Sequence, residues 1–163
     1  MLGLQWNNID FENKTITIER TRDYHGVRKP KTKNSNRTIF VDDSLLNQLK
    51  MYRIWCKKIM LTYGKRWTET DYVLTSDRFG TPVSEKAVSN PIKRVVKETG
   101  MKSITPHGLR HTHATIMLSK GIPLQTIADR LGNTPMMILR VYGHSLKELE
   151  IESVKTFIDA INY

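Results

Sequence analysis

From Asp42 onward the chain is punctuated by helix starts and stops, and this punctuation limits what it can fold into. Asp42-Asp43-Ser44 offers a capping side chain and first-turn acids, and Gly64 offers a stop. Ser84 and Gly100 bracket the next segment, Thr105-Pro106 and Gly121 the one after, and Ile122-Pro123 and Gly132 another. Thr134-Pro135 opens a further short helix leading to Tyr142. Ser, Thr and Asp accept hydrogen bonds from the free N–H groups of a first turn, proline fits that turn, and glycine adopts the left-handed backbone that ends a helix. Between these marks apolar residues recur at helical spacing. They are Leu45, Leu49, Tyr52, Cys56, Ile59 and Tyr63, then Val88, Ile92, Val95 and Val96, then Leu109, Ile116 and Met117, then Leu124, Ile127, Ala128 and Leu131. Pro91 can kink or split the second of these helices. Glu148 to about Ile161 reads as a last amphipathic helix with Leu149, Val154, Phe157 and Ile158 on its apolar face.

The N-terminal part follows a different period. Thr15 to Thr21 alternates with β-branched residues and reads as a strand, as does Arg37-Thr38-Ile39-Phe40-Val41. Asn7-Asn8-Ile9-Asp10 reads as a turn, Tyr72-Val73-Leu74 as a short buried strand, and Arg78 to Pro82 as a turn. Residues 22 to 36 form a polar, basic, hairpin-like stretch, with Gly26 and Asn34-Ser35-Asn36 as turn candidates. The fold class expected is α+β and mainly α: a helical domain with a small antiparallel sheet and hairpin at one edge.

Charge narrows the partners. Lys and Arg number 26 against 16 Asp and Glu in 163 residues, a net charge of +10, and the pI is near 9.8. Such an excess favours a polyanion. Arg22, Arg28, Lys29, Lys31, Lys33 and Arg37 converge in and beside the hairpin with few acids between them, which favours nucleic-acid contact over a merely solvated tip. The single cysteine, Cys56, allows no intrachain disulfide and sits in an apolar helical stripe, where it reads as core. No signal peptide and no run long enough to span a membrane is evident, and a reducing, cytoplasmic setting fits.

The chemistry-bearing residues centre on Pro106 to His113. His107 and Arg110 lie three apart, so on a helix they share a face. A guanidinium fork beside a proton carrier suits a phosphate oxygen. Two further groups could reach a phosphodiester: a lysine of the basic hairpin and a tyrosine beyond the next two helices. Phosphoryl transfer needs charge stabilisation, an in-line nucleophile and a proton for the leaving oxygen. No metal cluster competes, because His25, His107, His111, His113 and His144 have no cysteine or carboxylate at ligand spacing, and no Gly-rich loop for a cofactor phosphate is evident. His107 and His111 share a face, but no Glu follows His107, so a zinc-protease reading fails.

At these residues a family resemblance enters. His107 to Thr115 resembles the H-x-L-R-H-T-x-A-T box of the tyrosine recombinases, the phage integrase family. Ile127 to Asn133 resembles the I-x-x-x-L-G-H segment that follows it, and Leu139 to His144 the segment around the nucleophile. Leu2 to Asp10 is similar to L-x-L-x-W-x-D-I-D, and Lys31 to Arg37 to the K-T-K-x-S-x-R hairpin. The matches run in family order along essentially the whole chain. The resemblance implies that Tyr142 attacks the scissile phosphate, that Arg110 clamps its non-bridging oxygens, and that His107 assists as hydrogen-bond donor or proton carrier. Lys33, with Lys31 as runner-up, matches the general acid. His111 and His113 read as structural.

Two departures stand out. The family's first catalytic arginine lies just upstream of the L-x-L-x-W match, so residues 1–163 are expected to be a catalytic domain truncated at its N-terminus, without the upstream DNA-clamping domains. Losing one preorganised donor would slow the reaction by roughly 10²–10³. Asn133 stands where the family usually carries His or Trp; it reads as a substituted site residue or as an ordinary cap after Gly132. The function implied is site-specific recombination of double-stranded DNA, with integration or excision of a mobile element. Other protomers would join through residues 148–161, and a directionality factor is a further candidate partner. The rivals are a helix-turn-helix DNA-binding module around Arg110 and Ile127, and a type IB topoisomerase, which shares the chemistry.

Overall fold

The computed structural model describes residues 2–23, 26–28, 36–142, 153–154 and 157–161. The side chains of Arg28 and Tyr142 are outside that description, as are all of Lys29, Lys31 and Lys33. The chain divides into two compact units, Met1–Met101 and Lys102–Tyr163. Among the described residues no helix is long and apolar enough to cross a membrane.

The first unit is a small sheet backed by one long helix. Strands β1 (Ile9–Asp10), β2 (Thr15–Ile18) and β5 (Arg37–Phe40) form an antiparallel sheet in the order β1-β2-β5. Ile16 pairs with Ile9 on one side and Ile39 on the other, and the Thr17 and Thr38 hydroxyls bond across the ladder at 2.9 Å. Strands β3 (Thr21–Asp23) and β4 (Gly26–Arg28) form a separate two-stranded ribbon. The first part of the basic stretch is therefore paired as a ribbon, and residues 29–35 lie outside the described residues. The expected turn over Asn7 to Asp10 is instead a 3-10 turn over Trp6–Asn8 running directly into β1. Gly3 is needed where it stands, because a Cβ there would meet the Arg20 carbonyl oxygen at 2.9 Å.

Helix α1 (Asp43–Thr62) starts where the caps indicated, with the Asp42 carboxylate accepting from Leu45 N at 2.9 Å. Its inward face is Leu46, Cys56 and Met60, while Leu45 and Tyr63 face outward. Of the stripe read from the sequence, Leu49, Tyr52, Cys56 and Ile59 turn inward, and Arg53 joins them, its guanidinium 4.9 Å from the Trp67 ring centre and paired with Glu69. A charged residue covering aromatic faces is inward without being apolar. Cys56 is fully buried, as its place in the stripe suggested, and burial pushes its thiol pKa up. Trp6, 1% exposed, tilts against Tyr52 and Trp67 at the centre of this core. Val73 is buried, but residues 72–75 make only isolated bridges, Gln5 to Tyr72 and Thr75 to Pro82, instead of a strand.

Helix α2 (Glu85–Thr99) runs unbroken through Pro91 and ends on Gly100 at φ 66°. Ser84 holds the capping position without its hydroxyl accepting a bond. None of its residues is buried: Val88 is 37% and Val95 48% exposed, contrary to their inward assignment. Among the described residues no element of its own unit makes an extensive contact with it.

The second unit packs three helices. Helix α3 (Pro106–Ser119) is capped by Thr105, whose hydroxyl accepts from Gly108 N at 3.0 Å. Helix α4 (Leu124–Leu131) ends on Gly132 at φ 67°. Helix α5 (Pro135–Tyr142) starts with the Thr134 hydroxyl accepting from Met137 N at 3.2 Å. Ala114, Leu118, Ile127, Ala128, Leu131 and Ile138 form the core. Leu109 and Ile116, assigned inward from the sequence, are 48% and 55% exposed. The small Ala114 lets the neighbouring helices approach, which turns the Ala114–Leu118 face inward and leaves Leu109 and Ile116 outside it. Residues 153–154 and 157–161 are helical, and Val154, Phe157 and Ile158 are exposed. The remainder of the predicted last helix lies outside the described residues.

Candidate phosphodiester site

The helix-start signal at Thr105-Pro106 fixes the phase of α3 and so places His107 and Arg110 on one side of it. His107 is exposed and Arg110 half-buried. His107 and His111 meet edge to face, with ring centroids 4.3 Å apart at 90°. This is the one-turn contact that their spacing implied. No group of three or more His, Cys, Asp or Glu able to hold a metal occurs among the described residues.

Arg110 is anchored. Its Nη2 donates to the carbonyl oxygen of Leu131, the last residue of α4. The final carbonyls of a helix lack intrahelical partners and carry its negative dipole end, so a guanidinium is a favourable partner there. The left-handed Gly132 then turns the chain, with Gly132 N donating to Asp129 O at 3.2 Å and Asn133 N to Ala128 O at 2.9 Å. The Asn133 backbone thus completes the cap, and its side chain is half-buried beside the end of α4. Tyr142 is the last residue of α5, which packs against α3 and α4.

One contact here was not foreseen. Arg130 Nε donates to His113 Nε2 at 3.3 Å. His113 is half-buried, and burial first, then the Arg130 and Arg110 charges, hold its pKa below the ordinary 6.5. A neutral imidazole that accepts through Nε2 carries its hydrogen on Nδ1. The only sequence signal for this contact was a basic residue in the last turn of α4.

The other candidates lie in the first unit. Arg22 sits on β3, and its guanidinium is engaged with the fold: Nη2 donates to Val83 O, Nε to Leu2 O at 3.4 Å, and its carbon lies 5.0 Å from the Tyr72 ring centre. That geometry ties the Arg22 guanidinium into the fold. Arg37 opposes Ile18 on β5, and Arg28 opposes Thr21 on β4. A cleft of about 350 Å³ beside Arg22 and the start of α2 is lined by both signs of charge, Arg22 and Lys86 against Asp23 and Glu85, which does not favour a phosphate.

Comparison with known proteins settles the family. The family model described as the phage integrase family matches residues 1–148. The chain belongs to that family. It is 30% identical, over 98% of its length, to a protein named tyrosine recombinase XerC-like from Caldanaerobacter subterraneus, and covers 45% of that relative. It is 29% identical over 88% of its length to the ICEBs1 integrase of Bacillus subtilis, covering 40% of it. The chain therefore spans under half the length of these integrase-family relatives. Among solved structures, the Tn1549 transposon integrase in complex with transposon right end DNA matches with a TM-score of 0.73 at 21% identity, over 94% of this chain and 53% of that one. The XerA recombinase matches with a TM-score of 0.68 at 23% identity, over 93% and 51%. The mainly helical fold with a small antiparallel sheet is thus that of the integrase-family structures.

Proposed function

We propose that the chain is the catalytic part of a site-specific DNA recombinase that cuts and rejoins strands through a 3′-phosphotyrosyl intermediate. Tyr142 gives up its phenolic proton, to His107 or to water, and attacks the scissile phosphorus; the bond to the 5′ oxygen breaks, and the 5′ hydroxyl leaves with a proton from Lys33 or its neighbour Lys31. Arg110 holds the non-bridging oxygens, His107 donates to one of them or relays the proton, and Asn133 offers an amide where the family carries an imidazole or indole. The backbone phosphodiester energy is retained in the protein–DNA bond, so the chemistry is a pair of transesterifications. Double-stranded DNA is the substrate, consistent with the net charge of +10 and with the DNA in the Tn1549 integrase complex. Arg28, Lys29, Lys31 and Arg37 are the proposed backbone contacts. Assembly with other protomers through residues 148–161, a directionality factor and association with the nucleoid belong to the same reading.

The observation that carries it is Arg110, fixed through one N–H to the end of α4, with no other hydrogen bond to its guanidinium among the described residues. The recombinase and integrase names of the relatives do not favour a non-enzymatic helix-turn-helix module or a topoisomerase. The test is covalent capture on a nicked duplex carrying the recombination site. It is run with this chain and with a chain extended by a relative's upstream arginine and clamp segment. A protein–DNA adduct that is lost in Tyr142→Phe supports the reading; no adduct in either form rejects it. Relaxation of supercoiled DNA without a specific site would favour the topoisomerase. Binding should weaken with salt at a slope of about −0.9 per phosphate contacted.

A further inference from the structure

We propose that His113 and Arg130 are positioning residues for Arg110: a second cross-link between α3 and α4, run in the opposite direction, that holds the Arg110 guanidinium where a phosphate can take it. The inference rests on the reading of Arg110 as the phosphate clamp. Two arginines connect these helices. Arg110 on α3 reaches the Leu131 carbonyl of α4, and Arg130, the residue before Leu131, reaches back to the imidazole of His113, one turn beyond Arg110. Each helix thus supplies one donor and one acceptor within a single turn of the other bond.

The geometry has a chemical consequence. The His113 acceptor exists only while the imidazole is neutral. Once protonated, both ring nitrogens are donors, and Nε2 faces the Arg130 donor head on. The groups around it reinforce this. Arg110 acts on it from its own helix and Arg130 from α4. Asp129 of α4 accepts from Gln125 at 2.7 Å, and α5, packed on both helices, carries Arg140 as its charged side chain. His107 and His111 are the other titratable groups of α3. The fold therefore keeps His113 neutral at physiological pH and dismantles the cross-link in acid.

The experiment is a mutant cycle on binding of this chain to a duplex oligonucleotide, at fixed salt and at pH 7.5 and 5.5, with folding checked by far-UV circular dichroism. Arg110→Ala is expected to weaken binding about tenfold at pH 7.5. His113→Leu is expected to weaken it about threefold in the parent and to change nothing in the Arg110→Ala background, since it acts through Arg110. His113→Gln places an acceptor near the position of Nε2 that cannot be protonated. It should restore parental binding at pH 7.5 and remove the difference at pH 5.5 that is traceable to His113. Arg130→Met, which keeps the stem and removes the donor, should match His113→Leu in binding and raise the His113 pKa read from its imidazole NMR signals. Equal costs of His113→Leu with and without Arg110 overturn the positioning role, as does a His113→Gln protein that binds no better than His113→Leu. If Arg110→Ala binds as tightly as the parent, the phosphate reading fails and this inference with it.

Discussion

Replacing Tyr52 by Phe removes one oxygen, and the structure predicts a cost far larger than one surface hydroxyl. Tyr52 Oη donates to the carbonyl of Thr75 at 3.2 Å and accepts from the amide of Thr75, also at 3.2 Å. It closes both backbone groups of a residue that is only 8% exposed. With phenylalanine both are left unpaired. An orphaned buried group costs about 1–3 kcal/mol, so the pair should cost roughly 2–6 kcal/mol. At a urea slope of about 2 kcal/mol/M, the midpoint should fall by roughly 1–3 M. Tryptophan fluorescence is the appropriate probe, because Trp6, Trp55 and Trp67 all lie in the first unit and none in the second. Tyr63→Phe is the control: its hydroxyl donates to Asp77 O at 3.3 Å on the exposed surface, and its loss should stay within about 0.5 kcal/mol. The same burial pushes the Tyr52 phenol up to about 12. A group whose folded pKa is raised stabilises the fold below its unfolded value of 10.0 and loses that contribution as pH rises toward 12. Parent protein should therefore weaken over that window more steeply than Tyr52→Phe. An unchanged urea midpoint in Tyr52→Phe would refute the reasoning.

Ile138 is fully buried between α3 and α4, and Ile138→Ala should cost about 2–5 kcal/mol, read by urea unfolding of the helical circular-dichroism signal. Thr105→Ala removes the acceptor for Gly108 N and should cost about 1 kcal/mol by thermal melts, with Thr105→Ser recovering most of it. His113 is held below its ordinary 6.5. The unfolded chain thus takes up that proton first, and stability should be level above 6.5, fall as the pH drops toward the folded value, and level again below it. In His113→Gln that component of the acid dependence should be missing.

Local chemistry was the legible part of this fold. Asp42, Thr105 and Thr134 cap helices because the acceptor and the donors lie within three residues of one another. Gly64, Gly100, Gly121 and Gly132 all take positive φ because the chain turns where the helical pattern stops. Ser84 shows the limit: its position was readable, but whether its hydroxyl accepts a bond was not. Pairings between distant residues were less legible. Ile9–Asp10 is a strand only because Thr15 and Ile16 lie opposite it. Arg53 faces inward because Trp6 and Trp67 provide ring faces for its guanidinium. At the site, the spacing of His107 and Arg110 fixed their common face, whereas the Leu131 carbonyl and the His113–Arg130 bond depend on how α4 lies against α3. The family boxes constrain residues in sequence order, and they say nothing of the partners that hold Arg110.

The central claim is that Tyr142 becomes joined to DNA. The direct measurement is mass spectrometry of the peptide carrying Tyr142 after incubation with a nicked duplex bearing the recombination site, using the chain extended upstream as above. The account predicts a nucleotide remnant on Tyr142, absent in Tyr142→Phe and greatly reduced in Arg110→Ala. An adduct on another residue, or none while the duplex is still bound, would contradict it.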